Sequence, residues 1–173
     1  MNCEVNNKKI IEILKRHPDG GEVFFNALDF IIRSDKNLLG DYVEWVSKYC
    51  FPSRSVGCVV TGSFGRVLAS VYNDWLHKTF GQIIIVNGGI RSGSPVELPV
   101  FEVPMQRYVL LDDSYYSGRT ANTIEKELQI INPETKIDRA FVIYDGSESW
   151  VDGIYAMYRY YEKSDKPQWN KEK

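Results

Sequence analysis

The spacing of apolar positions changes near residue 55, from a helical period to short continuous apolar runs. Ahead of that point Ile10, Ile11, Leu14 and His17 follow helical spacing, and the turn Pro18-Asp19-Gly20-Gly21 ends that helix. Phe24, Leu28, Ile31 and Ile32 predict a second helix. Tyr42, Val46, Tyr49 and Cys50 predict a third, closed by Pro52. These faces read as packing surfaces or a lid over the rest of the chain.

Beyond residue 55 the chain alternates. Val56 to Val60 reads as a short buried strand, followed by the turn Thr61-Gly62-Ser63-Phe64-Gly65. Phe64, Val67, Leu68, Val71, Tyr72, Trp75 and Leu76 then draw one face of a helix. Ile83 to Val86 is a second buried strand, ending in Asn87-Gly88-Gly89. The stretch from Arg91 to Met105 has no helical period, although Val100 to Val103 suits a short edge strand. Val109 to Leu111 is the next strand and runs into Asp112 and Asp113. A helix from about Arg119 to Ile131 stops at Asn132-Pro133, and Ala140 to Ile143 is a further strand. Ile154, Met157, Tyr158 and Tyr161 have the spacing of a last helix, before a polar tail from Ser164 to Lys173. Continuously apolar strands alternating with helices imply an α/β fold, a mainly parallel sheet with helices on both faces. Ligands of such sheets bind beyond the carboxyl ends of the strands, which directs attention to the loops at 61–65, 87–93 and 112–120.

Length allows one domain with a full core: 173 residues, read as a helical flank or hood over 1–54, an α/β core over 55–146 and a C-terminal helix with tail over 147–173. The 43% apolar and 25% charged shares exclude disorder for the body of the chain. A formal net charge of −2, with scattered basic residues, argues against a nucleic-acid partner. Cys3, Cys50 and Cys58 are odd in number and lack metal-ligand spacing, Cys58 reading as a small core residue in a reduced, cytoplasmic setting. No run approaches the ~20 apolar residues of a membrane helix, and the N-terminus lacks a signal-peptide core.

Candidate chemistry concentrates between Val109 and Thr120. A buried strand delivers Asp112 and Asp113 to its open end, where carboxylates must meet water or a polar ligand. Paired acids there accept hydrogen bonds from the hydroxyls of a vicinal diol, or hold Mg²⁺ through waters. Four residues on, Ser117-Gly118-Arg119-Thr120 opens a helix, with backbone N–H groups, two hydroxyls and a flexible Gly forming a cup for phosphate. Acids for a sugar beside a cup for its phosphate make a ribose-5-phosphate site. The competing reading is that the acids only end a strand and Ser117 only caps a helix. A response-regulator receiver also ends a strand in paired acids, but near the start of its domain and without this cup. The turn Thr61 to Gly65 offers N–H donors to a second anion. It is no P-loop, lacking a following Gly-Lys-Ser/Thr, and no nucleophile elbow, since Thr61 stands two before Ser63.

The run from Val109 to Thr120 resembles the signature of the type I phosphoribosyltransferases: apolar residues, two acids, three variable positions, then Thr or Ser, Gly, any residue, Thr or Ser. Gly57 to Ala69 resembles that family's pyrophosphate-binding strand, loop and helix, and the loop from Asn87 to about Pro99 sits where the family has its flexible catalytic loop. The resemblance spans roughly residues 55 to 146. It implies transfer of phosphoribose from phosphoribosyl pyrophosphate (PRPP) to an acceptor, commonly a nucleobase nitrogen, with pyrophosphate leaving. It assigns the ribose and Mg²⁺ to Asp112 and Asp113, the 5′-phosphate to Tyr116, Ser117, Gly118, Arg119 and Thr120, and pyrophosphate to Thr61, Gly62, Ser63, Phe64 and Gly65. Arg66 and Arg91 are candidate cationic helpers, and Trp150 a candidate stacking partner for a base. Dimers are usual in that family, so a homodimer is an open expectation.

The acceptor is not named by these residues. The 6-oxopurine members carry an Asp where Tyr116 stands and a Lys where the next core strand ends in Tyr144-Asp145-Gly146. Orotate-type members have a basic flexible loop, where this chain has only Arg91. A non-catalytic regulator of the same fold that binds PRPP or a nucleotide therefore stands beside the enzyme as an alternative.

Overall fold

A computed structural model describes residues 36–86, 103–147 and 151–159. Helix α1 (Lys36–Ser47) leads into β1 (Ser53–Thr61). Helices α2 (Gly62–Val71) and α3 (Asn73–Thr79) carry the chain to β2 (Phe80–Val86). Then come β3 (Arg107–Tyr115), α4 (Arg119–Ile131), β4 (Lys136–Asp145) and β5 (Ile154–Arg159). The strands form one sheet in the order β2-β1-β3-β4-β5, and every neighbouring pair is parallel.

That order reverses direction between β1 and β3. The chain steps outward from β1 to β2, then returns to the centre and steps the other way to β4. Right-handed crossovers therefore place α2 and α3 on one face and α4 on the other. The core is divided accordingly. Cys58, Val60, Val109, Leu111, Phe141 and Ile143 pack with α1 and α2 residues such as Tyr42, Val46, Phe64 and Leu68. Their strand neighbours Val59, Leu110, Ala140 and Val142 pack with Ile124 and Leu128 of α4. Residues buried on both faces of a parallel sheet need continuous apolar runs, which is why the strands read as they do.

Helix α1 is fastened to the sheet by Tyr42, whose hydroxyl donates to the Phe141 carbonyl at 2.7 Å. Burial, first of all, pushes the Tyr42 pKa well above its ordinary value, and the negative charges of Asp112 and Asp113 add to it, so the hydroxyl stays a donor. Tyr42→Phe is expected to cost ~1–2 kcal/mol through the lost buried bond. Urea denaturation measures it, and a change below ~0.5 kcal/mol would mean that the hydroxyl contributes nothing net.

Two expectations are corrected. The apolar face from Phe64 to Leu76 belongs to two helices, because Tyr72 leaves helical dihedrals (φ −117, ψ 30) and Asn73 starts a new helix with Asp74 in its first turn. The expected C-terminal helix through Ile154, Met157 and Tyr158 is strand β5, paired parallel to β4 from Ala140↔Ile154 to Asp145↔Arg159. The connection over 146–153 spans at most ~28 Å when extended. That is enough to return along a six-residue strand of ~20 Å. The third expected helix is α1, but it ends at Ser47, so Tyr49 and Cys50 lie beyond it. The first two, Arg91 with its loop, Trp150 and the polar tail lie outside the described residues, as does the Val100–Val103 segment except for Val103, which is in no strand.

Candidate functional site

In an open parallel sheet, the crevice for a ligand forms where the strand order reverses, outside the carboxyl ends of the two strands concerned. Here those strands are β1 and β3. The loop at 61–65 leaves β1 and the segment 112–120 leaves β3, so two of the three loops singled out from sequence flank the reversal point.

The acids sit inside β3 rather than beyond it. Pairing with β1 stops at Val60↔Leu111, whereas pairing with β4 continues through Asp112↔Val142, Ser114↔Tyr144 and Tyr115↔Asp145. Asp112 and Asp113 therefore lie just past the last β1 pair, still supported by β4 on the other side. Asp112 is only 8% exposed, and its Oδ1 accepts the Asp113 N–H at 2.8 Å. Asp113 is half-buried and its Oδ1 accepts the Ser114 hydroxyl at 2.9 Å. Each carboxylate has a local bond that fixes its direction.

Beyond β3 the chain turns through Tyr116 and Ser117 to Gly118, the N-cap of α4, which is left-handed at φ 73, ψ 7. A left-handed cap requires glycine in practice. No side chain caps α4, so its first-turn N–H groups face the turn. Ser117 and Arg119 are exposed and Thr120 is half-buried. Sequence reasoning passes over Tyr115. A Cβ built on Gly118 would come within 2.5 Å of the Tyr115 hydroxyl oxygen, which therefore borders the turn. Burial, and then the charge of Asp145, raise the Tyr115 pKa, so this hydroxyl stays protonated. Its signal in the sequence is faint: a second aromatic after the acids, in a run that continues the strand.

The turn after β1 is similar in kind. Thr61 is buried at the N-cap of α2 in extended backbone, and it makes no side-chain cap bond, leaving first-turn N–H groups directed at the crevice. The five residues grouped in this loop divide by role. Phe64 is 1% exposed and packs edge-on to Tyr42 at 5.1 Å, so its side chain belongs to the core. Gly65 lies against β1, where a Cβ would meet the Val60 carbonyl carbon at 2.7 Å, so its contribution is helix-to-strand approach. Gly62 and Ser63 are half-buried and border the opening. Arg66 is exposed and its guanidinium reaches the Ser63 hydroxyl at 3.5 Å.

A solved adenine phosphoribosyl transferase from Trypanosoma brucei, in complex with AMP, pyrophosphate and ribose-5-phosphate, matches the chain with a TM-score of 0.51. The identity is 11%, over 79% of this chain and 70% of that one. The fold is that of the phosphoribosyltransferases. Also similar are a purine phosphoribosyltransferase from Pyrococcus horikoshii (TM-score 0.47, 14% identity, 76% and 89% of the two chains) and an adenine phosphoribosyltransferase from Thermoanaerobacter pseudethanolicus (0.46, 15%, 75% and 84%). No protein-family model matches the chain, and no curated protein sequence does. At these identities the likeness to phosphoribosyltransferases is one of fold.

Among the described residues no cluster of three or more His, Cys, Asp or Glu side chains forms a metal cage, and no helix is long and apolar enough to cross a membrane. Mg²⁺ needs no cage, because it retains several waters and binds through one or two carboxylates plus substrate phosphates. The Asp112–Asp113 pair fits that donor chemistry.

Proposed function

We propose that the chain binds PRPP at the β1/β3 reversal point and transfers its phosphoribosyl group to a nucleobase-like acceptor, releasing pyrophosphate. The observation that carries this reading is the juxtaposition of a carboxylate pair and two helix N-termini without side-chain caps at the carboxyl ends of two adjacent interior strands. A sugar bearing a phosphate at each end asks for that combination: acceptors for its hydroxyls at the centre and N–H donors for an anion on either side. Asp112 and Asp113 hold the ribose hydroxyls. Residues Tyr116 to Thr120 hold the 5′-phosphate, chiefly through the backbone N–H groups that open α4. The opening of α2 around Gly62 and Ser63 takes the pyrophosphate, with Arg66 as the neighbouring cation.

In the reaction the acceptor nitrogen's lone pair forms the bond to the anomeric carbon. The carbon–oxygen bond to pyrophosphate breaks and its electron pair leaves with that group, while the proton on the acceptor passes to solvent. The transition state has oxocarbenium character, so positioning and fixed dipoles supply most of the rate. A Mg²⁺ ion associated with Asp112 and Asp113 supplies neutralisation of the leaving group's charge when bound. A cytoplasmic setting, a homodimer and one domain over 1–173 belong to the same proposal. A second reading, a non-catalytic PRPP-binding regulator, is favoured by one observation. Tyr116 stands where the 6-oxopurine enzymes carry an acid, and its ring packs on Gly146 and Tyr144.

Asp113→Asn tests the site. It removes the charge from a hydrogen bond to the ribose, an effect of ~1.5–3 kcal/mol, or a ~10–150-fold weaker Kd for PRPP with Mg²⁺ by calorimetry. Because Asp113 is half-buried and lies past the last residue of β3 paired with β1, thermal stability should scarcely change. Unchanged affinity in the folded variant counts decisively against this assignment. Pyrophosphate release across a panel of bases separates enzyme from regulator.

A further inference from the structure

The two aromatic residues after the acids take different roles, and Tyr116 takes the unexpected one. Its ring is seated directly on Gly146: a Cβ built there would fall 2.2 Å from one ring carbon and 2.7 Å from the next. On another side it meets Tyr144 edge-on, with centroids 5.7 Å apart and planes at 71°. The backbone beneath is tied down as well, since the Gly146 N–H donates to the Tyr115 carbonyl at 2.8 Å. Asp145, fully buried, accepts the Ser147 N–H at 2.9 Å and the Ser147 hydroxyl at 2.5 Å, closing the turn that presents Gly146. The ring is thus held against the carboxyl end of β4 by a glycine with no room for a side chain, a second tyrosine and a fixed turn.

The location matters because of the geometry of displacement. With pyrophosphate at α2, on the β1 side of the ribose, a nucleophile must reach the anomeric carbon from the opposite side. That side is the end of β4, where Tyr116, Tyr144 and Gly146 meet. We infer that the Tyr116 ring is a specificity element that occupies the space a purine would need beside the bound ribose, so that the site accepts a phosphoribosyl group but excludes a bicyclic base. This rests on the ribose-phosphate reading above. The end of β4 contributes Tyr144 and Asp145, both fully buried, and neither is a cation that could meet a purine's oxygen. Replacing Gly146 would disturb the ring, and replacing Tyr116 by a small residue would vacate its volume.

The test is calorimetric titration of the full chain with ribose 5-phosphate, AMP and IMP in parallel. Wild type is expected to bind ribose 5-phosphate more tightly than either purine nucleotide, since attaching the base creates a collision. Tyr116→Ala should raise the affinity of IMP relative to that of ribose 5-phosphate by about tenfold or more, the range that volume changes in a binding pocket command. Tyr116→Phe, which retains the ring, should continue to exclude the nucleotides, separating volume from the hydroxyl. If wild type binds AMP or IMP more tightly than ribose 5-phosphate, the inference is overturned while the ribose-phosphate site survives. If ribose 5-phosphate itself does not bind, the underlying reading fails and takes this one with it. Should Tyr116→Ala not fold, the wild-type ranking and Tyr116→Phe still decide.

Discussion

Gly118→Val should abolish ribose 5-phosphate binding and destabilise the fold by ~2–5 kcal/mol, summing a left-handed backbone penalty of ~1–2 kcal/mol with a steric term of ~1–3 kcal/mol. Both effects have one origin. Gly118 holds φ 73, which a β-branched residue scarcely tolerates, and a Cβ there would be 2.5 Å from the Tyr115 hydroxyl. Relief requires either the turn or the Tyr115 ring to move, and both border the opening of α4. The N–H groups that would meet the phosphate are then misaligned, and a displacement of ~1 Å in such a site is enough to cost ~100-fold. Chemical denaturation gives the stability term, and calorimetry below the unfolding transition gives the binding term. Normal ribose 5-phosphate binding by the variant would show that the phosphate cup lies elsewhere.

Phe64→Ala is expected to be the most damaging substitution in the turn after β1, at ~3–5 kcal/mol, the usual cost of deleting a buried aromatic ring. Phe64 is 1% exposed and touches Tyr42 edge-on, so its loss leaves a cavity between α1, α2 and the sheet. Ser63→Ala, one residue earlier and half-buried, should stay within ~0.5 kcal/mol of wild type in stability. The contrast separates the two functions of a single loop: one residue anchors the helix, while its neighbour borders the opening. Comparable stability losses for the two variants would mean that the division of roles within this turn is wrong.

How much could be read beforehand depends on the period of each segment. The four strand cores at Val56–Val60, Ile83–Val86, Val109–Leu111 and Ala140–Ile143 stand within β1 to β4, because burial on both faces forces uninterrupted apolar runs. β5 was concealed. It is an edge strand, buried at Ile154 and Tyr158, which happens to match a helical interval, and its contacts such as Tyr155 stacked on Phe141 at 4.9 Å are long-range. The run Ile-Tyr-Ala-Met-Tyr after an Asp152-Gly153 turn carried the better signal, through its aromatic residues and the preceding Gly. The break at Tyr72 was hidden because two successive helices kept their apolar faces in phase, although Asn73-Asp74 is a typical helix opening. In the candidate site, the acids and Gly118 were legible as a local motif. The inward packing of Tyr116 was not, since its partners Tyr144 and Gly146 lie at the end of the next strand and in the turn after it, and only the register of β3 on β4 joins them.

The seam between β1 and β3 also sets the order in which the protein can assemble. β3, α4 and β4 form a local unit, closed by a single short helix connection. Gly57 must find Tyr108 across about fifty residues of chain, a closure that costs more entropy and returns nothing until the strands align. β1, α2, α3 and β2 form a second local unit, so the α2 turn and the acids with the α4 turn are each made locally and meet only when the seam closes. Until the seam closes each unit holds half a crevice, with Val109 and Leu111 along an unpaired edge of β3. A ligand that bridges the seam favours the fully paired state, and so would help to close it and to shield that edge from aggregation.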